Sequence, residues 1–249
     1  SSRANIEIPQ AQKDLLAELK KTGKPIVMVL FTGRPLVLND ENKQADAIVN
    51  AWFAGSEAGL AIADVLFGDE NPSGKLTTTF PRSVGQIPIY YSAKNTGRPL
   101  GNKEGKFEKF KSNYIDERNE PLFPFGYGLS YTNFSYSNLM ISSSKMTKNE
   151  TIKVSVEVTN TGNFDGKEVV QLYIRDLVGS VTRPLKELKD FKKIALKKGE
   201  KQTLTFEITV DKLKFYNSDL NFVAEPGVFE IFIGTDSTTN NKISFELIN

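Results

Sequence analysis

Cysteine and histidine are both missing from this chain of 249 residues. Their absence excludes a Cys nucleophile, a zinc site with Cys or His ligands and any Ser-His-Asp arrangement. Acid–base chemistry is left to carboxylates, Lys or Tyr. Lack of cysteine does not fix the compartment, and an oxidising one that needs no covalent staples is compatible with it. Net charge is nearly absent as well: 32 basic against 30 acidic side chains leave +2, too little to argue for nucleic acid or an anionic membrane. The lysines of NKEGKFEKFK, KELKDFKK and KKGEK are interleaved with acids and aromatics, as on solvated faces. No apolar run approaches the length that spans a bilayer. The opening SSRANIEIPQAQ carries neither an initiator Met nor a signal peptide and enters structured-looking sequence at once, so a piece of something longer is expected.

The chain is written in two grammars. In the first half, PQAQKDLLAELKKTG reads as a helix with Pro9 in its first turn, Gly23 as its C-cap and Leu15, Leu16 and Leu19 as its apolar stripe. PIVMVLF is a continuous apolar run of strand length, the kind buried on both faces in a parallel sheet. DAIVNAWF reads as a second strand, and SEAGLAIADVLFG as a short apolar helix closed by Gly68. Strands 26–31 and 46–53 are expected in one sheet, and the alternation argues for an α/β layer. In the second half the period becomes two. Ile152, Val154, Val156 and Val158 share one face of TIKVSVEVTNTG, and EVVQLYIRD, PLKELKDFKKIAL, KQTLTFEITV, VFEIFIGTD and KISFELIN follow between short turns. Six or seven such strands match an immunoglobulin-like or fibronectin-like β-sandwich without an intersheet disulfide. The fold class is therefore α/β plus all-β: a partial α/β sandwich over 1–128, then a fibronectin type III-like β-sandwich over 135–249.

Between the grammars lies PLFPFGYGLSYTNF, residues 121–134, with Phe123, Phe125, Tyr127, Tyr131 and Phe134 near alternate positions and Gly126 and Gly128 among them. Its prolines exclude a helix, and its rings suit a packed seam better than a binding strip. Phe125, Tyr127 and Tyr131 are the expected seam residues, each largely buried against residues from both halves.

Candidate chemistry is sparse. GRP at 33–35 is either a ligand loop at a strand's C-terminal end or a turn whose Arg34 pairs with a carboxylate. Gly55 and Ser56 open a helix without the fuller Gly-rich loop and Lys of a phosphate site, and Glu57 suits the helix N-terminus better than proton donation. Trp52, the single Trp, is more readily packed than stacked on a sugar. The long polar stretch 92–120 has no regular period, and long loops in compact domains are functional or disordered. Asn95, Arg98, Tyr114 and Asp116 within it are side chains suited to hydroxyl-rich ligands.

Taken in order, GKPIVMVLFTGRPLVL, AWFAGSEAGLAIADVLFGDENPSGKLTTTFPRSVGQIPIYY, NTGRP, PLFPFGYGLSYTNF, RPLKELKDFKKIALKKGE and EPGVFEIFIGTDS resemble the C-terminal third of family 3 glycoside hydrolases of the bacterial periplasmic β-glucosidase type. The resemblance covers essentially the whole chain. It implies an enzyme of a (β/α)8-like barrel, an α/β sandwich and a β-sandwich that releases β-linked glucose from oligosaccharide ends by retaining double displacement. It also implies that the nucleophile, a barrel Asp, and the acid/base, a Glu immediately before the opening SSR, lie upstream of residue 1. No catalytic residue is thus expected in this chain, and no cofactor or metal. Ser1, Ser2 and Arg3 would flank the acid/base loop. The loop with Asn95, Arg98, Tyr114 and Asp116 would lie near the outer part of the glucoside site or at a contact with a neighbouring subunit, as in a homodimer. The expected partners are a β-glucoside oligosaccharide and the barrel, in the periplasm or outside the cell. The competing reading is a carbohydrate-binding or scaffold module without catalytic activity.

Overall fold

The computed structural model describes residues 4–99 and 107–249, and the chain divides into two compact units. Among those residues, the first unit takes 4–70, 78–89 and 107–124, and the second 71–77, 90–99 and 125–249. A simple division into 1–128 and 135–249 is therefore redrawn. Residues 71–77 and 90–99 go with the sandwich because its backbone hydrogen-bonds them: Leu76 N–H donates to the Tyr127 carbonyl at 2.8 Å, Gly126 N–H to the Leu76 carbonyl at 2.7 Å, and Leu185 N–H to the Ala93 carbonyl at 2.9 Å.

The first unit runs α1 (Gln10–Lys20), β1 (Val27–Leu30), α2 (Glu41–Gln44), β2 (Ala47–Asn50) and α3 (Ala58–Phe67), followed by a 3-10 turn at Val84–Gln86. β1 and β2 pair in parallel from Val27↔Ala47 to Leu30↔Asn50, so the two apolar runs do share a sheet. The second strand is shorter than the run suggested, because Trp52 at φ 50° leaves the extended region. Helix α3 stops where expected, on Gly68 in the left-handed conformation at φ 89°. Helix α1 ends at Lys20, before Gly23, and of its three leucines only Leu16 is buried.

Burial corrects the reading of strands covered on both faces. Val27 is half exposed, and α3, apolar at every position but Gly59 and Asp64, has no buried residue. Parallel strands gain their stability from helices packed on both faces, and a helix apolar all round belongs in a core. Among the described residues, two part-buried strands and a helix without a buried residue make an open layer.

The second unit is a closed sandwich. Its strands are β3 (Phe134–Ile141), β4 (Lys145–Met146), β5 (Ile152–Asn160), β6 (Gly166–Asp176), β7 (Glu187–Leu196), β8 (Lys201–Ile208), β9 (Phe215–Tyr216), β10 (Phe222–Val223), β11 (Gly227–Gly234) and β12 (Lys242–Leu247), with a helical turn α4 (Val210–Leu213). Five of them form a sheet in the order β4-β12-β11-β6-β7, three form β3-β5-β8, and β9–β10 is a separate hairpin. Strict alternation in β5 sends Ile152, Val154, Val156 and Val158 into the core, where they meet Val170, Leu172 and Ile174 of β6 and Ile231 of β11. β6 and β11 are buried almost throughout, since Gln171, Tyr173 and Phe232 on their other face are covered too.

Part of that cover is Lys186, whose Nζ donates to the Ser237 and Thr239 carbonyls at 3.0 and 2.5 Å and lies 4.4 Å from the Phe232 ring centroid. Burial is the largest influence on it and pulls its pKa down from the ordinary 10.5 to about 8. Below pH 8 the folded protein carries the full cost of burying the ammonium. Between about 8 and 10.5 the unfolded chain holds the extra proton, so this group's contribution to stability rises with pH. In thermal melts at pH 8 and pH 10, the midpoint of wild type relative to Lys186→Met is expected to shift upward. A pH-independent difference would show that Lys186 is not held in this way.

Candidate functional site

Two places in the first unit have the geometry of a site. The first is the rim at the C-terminal ends of β1 and β2, where open parallel sheets bind ligands. Thr32, buried just past β1, donates from Oγ1 to Asn50 Oδ1 at 3.1 Å, while Asn50 Nδ2 is buried and has no partner among the described residues. Gly33 leaves room for the Phe53 ring, which a Cβ would meet at 3.2 Å, and that ring is 89% exposed. Trp52 is held in the left-handed region with its ring edge-on to buried Phe80 at 5.9 Å, which packs it as expected. A bulky residue at positive φ persists only where its surroundings over-determine it. Arg34 is exposed on the same rim.

The second place is the loop after residue 106, which amide side chains hold in one shape. Gln86 is almost fully buried; its Oε1 accepts from Arg82 N–H at 2.6 Å and its Nε2 donates to the Arg118 carbonyl at 2.6 Å. Arg82 Nε reaches the Glu120 carbonyl at 3.1 Å. Asn113 Nδ2 donates to the Glu108 and Lys111 carbonyls at 2.9 Å each, and Asn119 Nδ2 to the Ser112 carbonyl at 2.8 Å. Phe80 and Phe123 close its base with backbone bonds and an edge-on ring contact at 6.0 Å. A loop so braced presents its tip side chains with little entropy left to lose. None of these amides stood out in the sequence, since each acts on a carbonyl whose position depends on the fold.

The residues singled out from sequence are distributed as follows. Arg3, with Ser1 and Ser2, lies outside the described residues. Tyr114 and Asp116 sit on the braced loop, exposed, with Tyr114 OH donating to the Gly85 carbonyl at 3.4 Å. Asn95 and Arg98 are exposed as well but belong to the other unit, and Asn95 Oδ1 accepts from Gly97 N–H at 3.2 Å. The four are thus not gathered in one unit. Glu57 is exposed at the N-cap position of α3. Among the described residues no group of three or more acids could hold a metal ion, and no helix is long and apolar enough to cross a membrane.

The aromatic run divides where the units divide: Phe123 belongs to the first, and Phe125 onward to the second. There Phe125 stacks on Tyr91 at 4.1 Å, and Tyr91 meets Tyr173 edge-on at 6.0 Å. Gly126, at φ 82°, lies so close to β6 that a Cβ would sit 2.2 Å from Gln171 Oε1, and a Cβ on Gly128 would sit 2.1 Å from the Gly74 carbonyl oxygen. Tyr127 is half-buried. Tyr131 departs from expectation: its backbone is tied to Asn71 Oδ1 at 2.8 Å, which leaves the ring 46% exposed.

Comparison with known proteins places these features in context. Residues 1–131 match the profile of the glycosyl hydrolase family 3 C-terminal domain, and residues 168–237 that of a fibronectin type III-like domain. The chain is 57% identical over 248 residues to a periplasmic β-glucosidase of Salmonella typhimurium, covering 100% of this chain and 32% of that protein. It is 45% identical over 241 residues to a β-xylosidase of Formosa agariphila, covering 96% of this chain and 32% of that protein. The crystal structure of a β-glucosidase from Listeria innocua in complex with glucose superposes with a TM-score of 0.94 at 43% identity, over 100% of this chain and 34% of that one. The chain spans about a third of the length of the curated relatives it matches.

Proposed function

Because the chain belongs to glycosyl hydrolase family 3, we propose that it serves as the C-terminal part of a retaining β-glucosidase acting on the non-reducing ends of β-linked oligosaccharides. The observation that carries this reading is identity of 57% to a periplasmic β-glucosidase across both units, from the open α/β layer to the end of the sandwich. Retention needs two carboxyl groups about 5 Å apart, one attacking the anomeric carbon and one serving as acid and then base. In this reading both come from the part of the relatives that the chain does not span, and neither Glu57 nor Asp116 is given that work. The chain contributes framework and outer contacts. Tyr114 and Asp116 on the braced loop, with Asn95, Arg98 and Arg3, are the side chains offered to substrate hydroxyls, either from within one molecule or across a homodimer contact. Periplasmic residence follows the same likeness.

A β-xylosidase is the second reading, favoured by the relative at 45% identity. Glucose differs from xylose by one hydroxymethyl group, and a pocket built for that group discriminates through it. The test is the full-length gene product on aryl β-glucoside and aryl β-xyloside, with the anomer of the first product read by NMR. Glucoside is expected to exceed xyloside in kcat/KM by about tenfold or more, with the β-anomer released first. Release of the α-anomer first, or no turnover of either, would overturn the proposal; a reversed ratio would select the xylosidase.

A further inference from the structure

The loop that carries Asn95 and Arg98 is rooted in the second unit, and its root is Tyr91. The Tyr91 ring stacks on Phe125 at 4.1 Å and 18° and meets fully buried Tyr173 of β6 edge-on at 6.0 Å. Its hydroxyl accepts from the Leu188 N–H of β7 at 3.3 Å. Tyr173 and Leu188 are cross-strand partners, so one side chain grips two adjacent strands at the same level. Tyr173 is itself held: its hydroxyl donates to Gln171 Oε1 at 2.5 Å, and Gln171 Nε2 donates to the Gly126 carbonyl at 3.1 Å and the Thr235 carbonyl at 2.5 Å. Two residues past Tyr91 the chain runs antiparallel to the stretch leading into β7. There Leu185 N–H donates to the Ala93 carbonyl at 2.9 Å, and Lys94 bridges Pro184.

This grip lies on the sheet face turned away from the core. Val170, Leu172 and Ile174 of β6 point into the sandwich, and by parity Gln171 and Tyr173 point out of it. Loss of the Tyr91 ring would therefore free the loop and leave the core packing in place. Past Lys94, Asn95 Oδ1 accepts from Gly97 N–H at 3.2 Å, with Gly97 in the left-handed region at φ 80°. Arg98 follows four positions after Lys94, which keeps its Cα within about 14 Å of that fixed point even in an extended chain. A loop released at its root would have to be ordered by the substrate it touches. That entropy cost falls on binding and not on bond breaking.

We propose that the β-sandwich sets the reach of the outer substrate contacts, with Tyr91 as the positioning residue that acts through Asn95 and Arg98 on the sugars beyond the one being released. The proposal rests on the glycosidase reading. Its test compares the full-length gene product and its variants on an aryl β-glucoside, on cellotetraose and on laminaritetraose. Tyr91→Ala is expected to raise KM for a tetrasaccharide about tenfold with kcat within about threefold, and to leave both constants for the aryl glucoside within about threefold. Tyr91→Phe, which keeps the stack, is expected to stay near wild type. Tyr91→Ala combined with Arg98→Ala is expected to cost no more than Arg98→Ala alone, since the two act as one unit. In hydrogen exchange of the 249-residue chain, Tyr91→Ala is expected to lose protection at the Leu185 and Leu188 amides while β5 and the rest of β6 keep theirs. Equal losses on all substrates, additive effects of the two substitutions, or protection lost throughout β5 and β6 would make Tyr91 a merely structural residue and overturn the proposal. So would a wild type that cleaves the aryl glucoside but neither tetrasaccharide. A wild type inactive on all three would instead sink the glycosidase reading, and this proposal with it.

Discussion

On the proposed reading, the 249-residue chain by itself is expected to show no turnover of an aryl β-glucoside above the buffer rate, and co-production with the upstream part of the proposed enzyme is expected to restore activity. Double displacement cannot proceed with one carboxyl group, and an enzyme stripped of its reacting residues keeps only what oriented binding supplies. The carboxylates that this chain could offer are poorly placed. Glu57 is exposed at the start of α3, and Asp116 is exposed at the tip of the braced loop. In the proposed full-length enzyme, Glu57→Gln and Asp116→Asn are therefore expected to leave kcat within about threefold, against the 100-fold or greater losses that follow removal of a general acid or base. Asp116→Asn is expected to act through KM, as loss of a contact to an outer hydroxyl would. Contaminant-free turnover by the chain alone, lost in Glu57→Gln or Asp116→Asn, would show that the chemistry lies here after all.

How much of this could be read in advance varies with the range of the interaction. The alternation of Ile152, Val154, Val156 and Val158 fixed the face of β5, because side-chain direction in a strand follows from parity alone. Gly68 ended α3 for an equally local reason. The packed character of Phe125, Gly126 and Gly128 was visible in composition, though not the close approach to Gln171 and to Gly74 that makes the glycines necessary. Long-range bonds left no trace. Asn71 Nδ2 reaches the Asp165 carbonyl across 94 residues, and that bond helps hold 71–77 with the sandwich. Tyr216 and Phe222 are six positions apart and became neighbours only through the register of a five-residue turn. Periodicity likewise could not reveal that, among the described residues, Leu30 is the one buried side chain of β1, β2 and α3, since an apolar run reads the same at either degree of burial.

Replacing Asn160 by alanine is expected to destabilise the sandwich by about 3–5 kcal/mol, a large share of the roughly 5–15 kcal/mol available to a domain. In the sequence this residue is only the second letter of a turn, TNTG. In the fold it is fully buried and spends every hydrogen-bonding position of its side chain. Nδ2 donates to the Phe164 carbonyl at 2.8 Å and the Leu196 carbonyl at 3.1 Å; Oδ1 accepts from Thr132 Oγ1 at 2.6 Å and from Gly162 N–H at 3.2 Å. One amide thus ties the end of β5 to the following turn, to the end of β7 and to Thr132 near the end of the aromatic run. Alanine removes all four bonds at once. Each buried group left without a partner costs about 1–3 kcal/mol, reduced where water enters the vacated space. Aspartate is expected to be no better, because it keeps the acceptor but has no donor for the two carbonyls. The exposed neighbour Thr161→Ala serves as control, with an expected change within about 0.5 kcal/mol. Urea unfolding of the chain, followed by far-ultraviolet circular dichroism, reads the effect as a lower midpoint at unchanged slope. A loss below about 1 kcal/mol would mean that the four partners find other bonds, and that Asn160 is not the clamp its geometry describes.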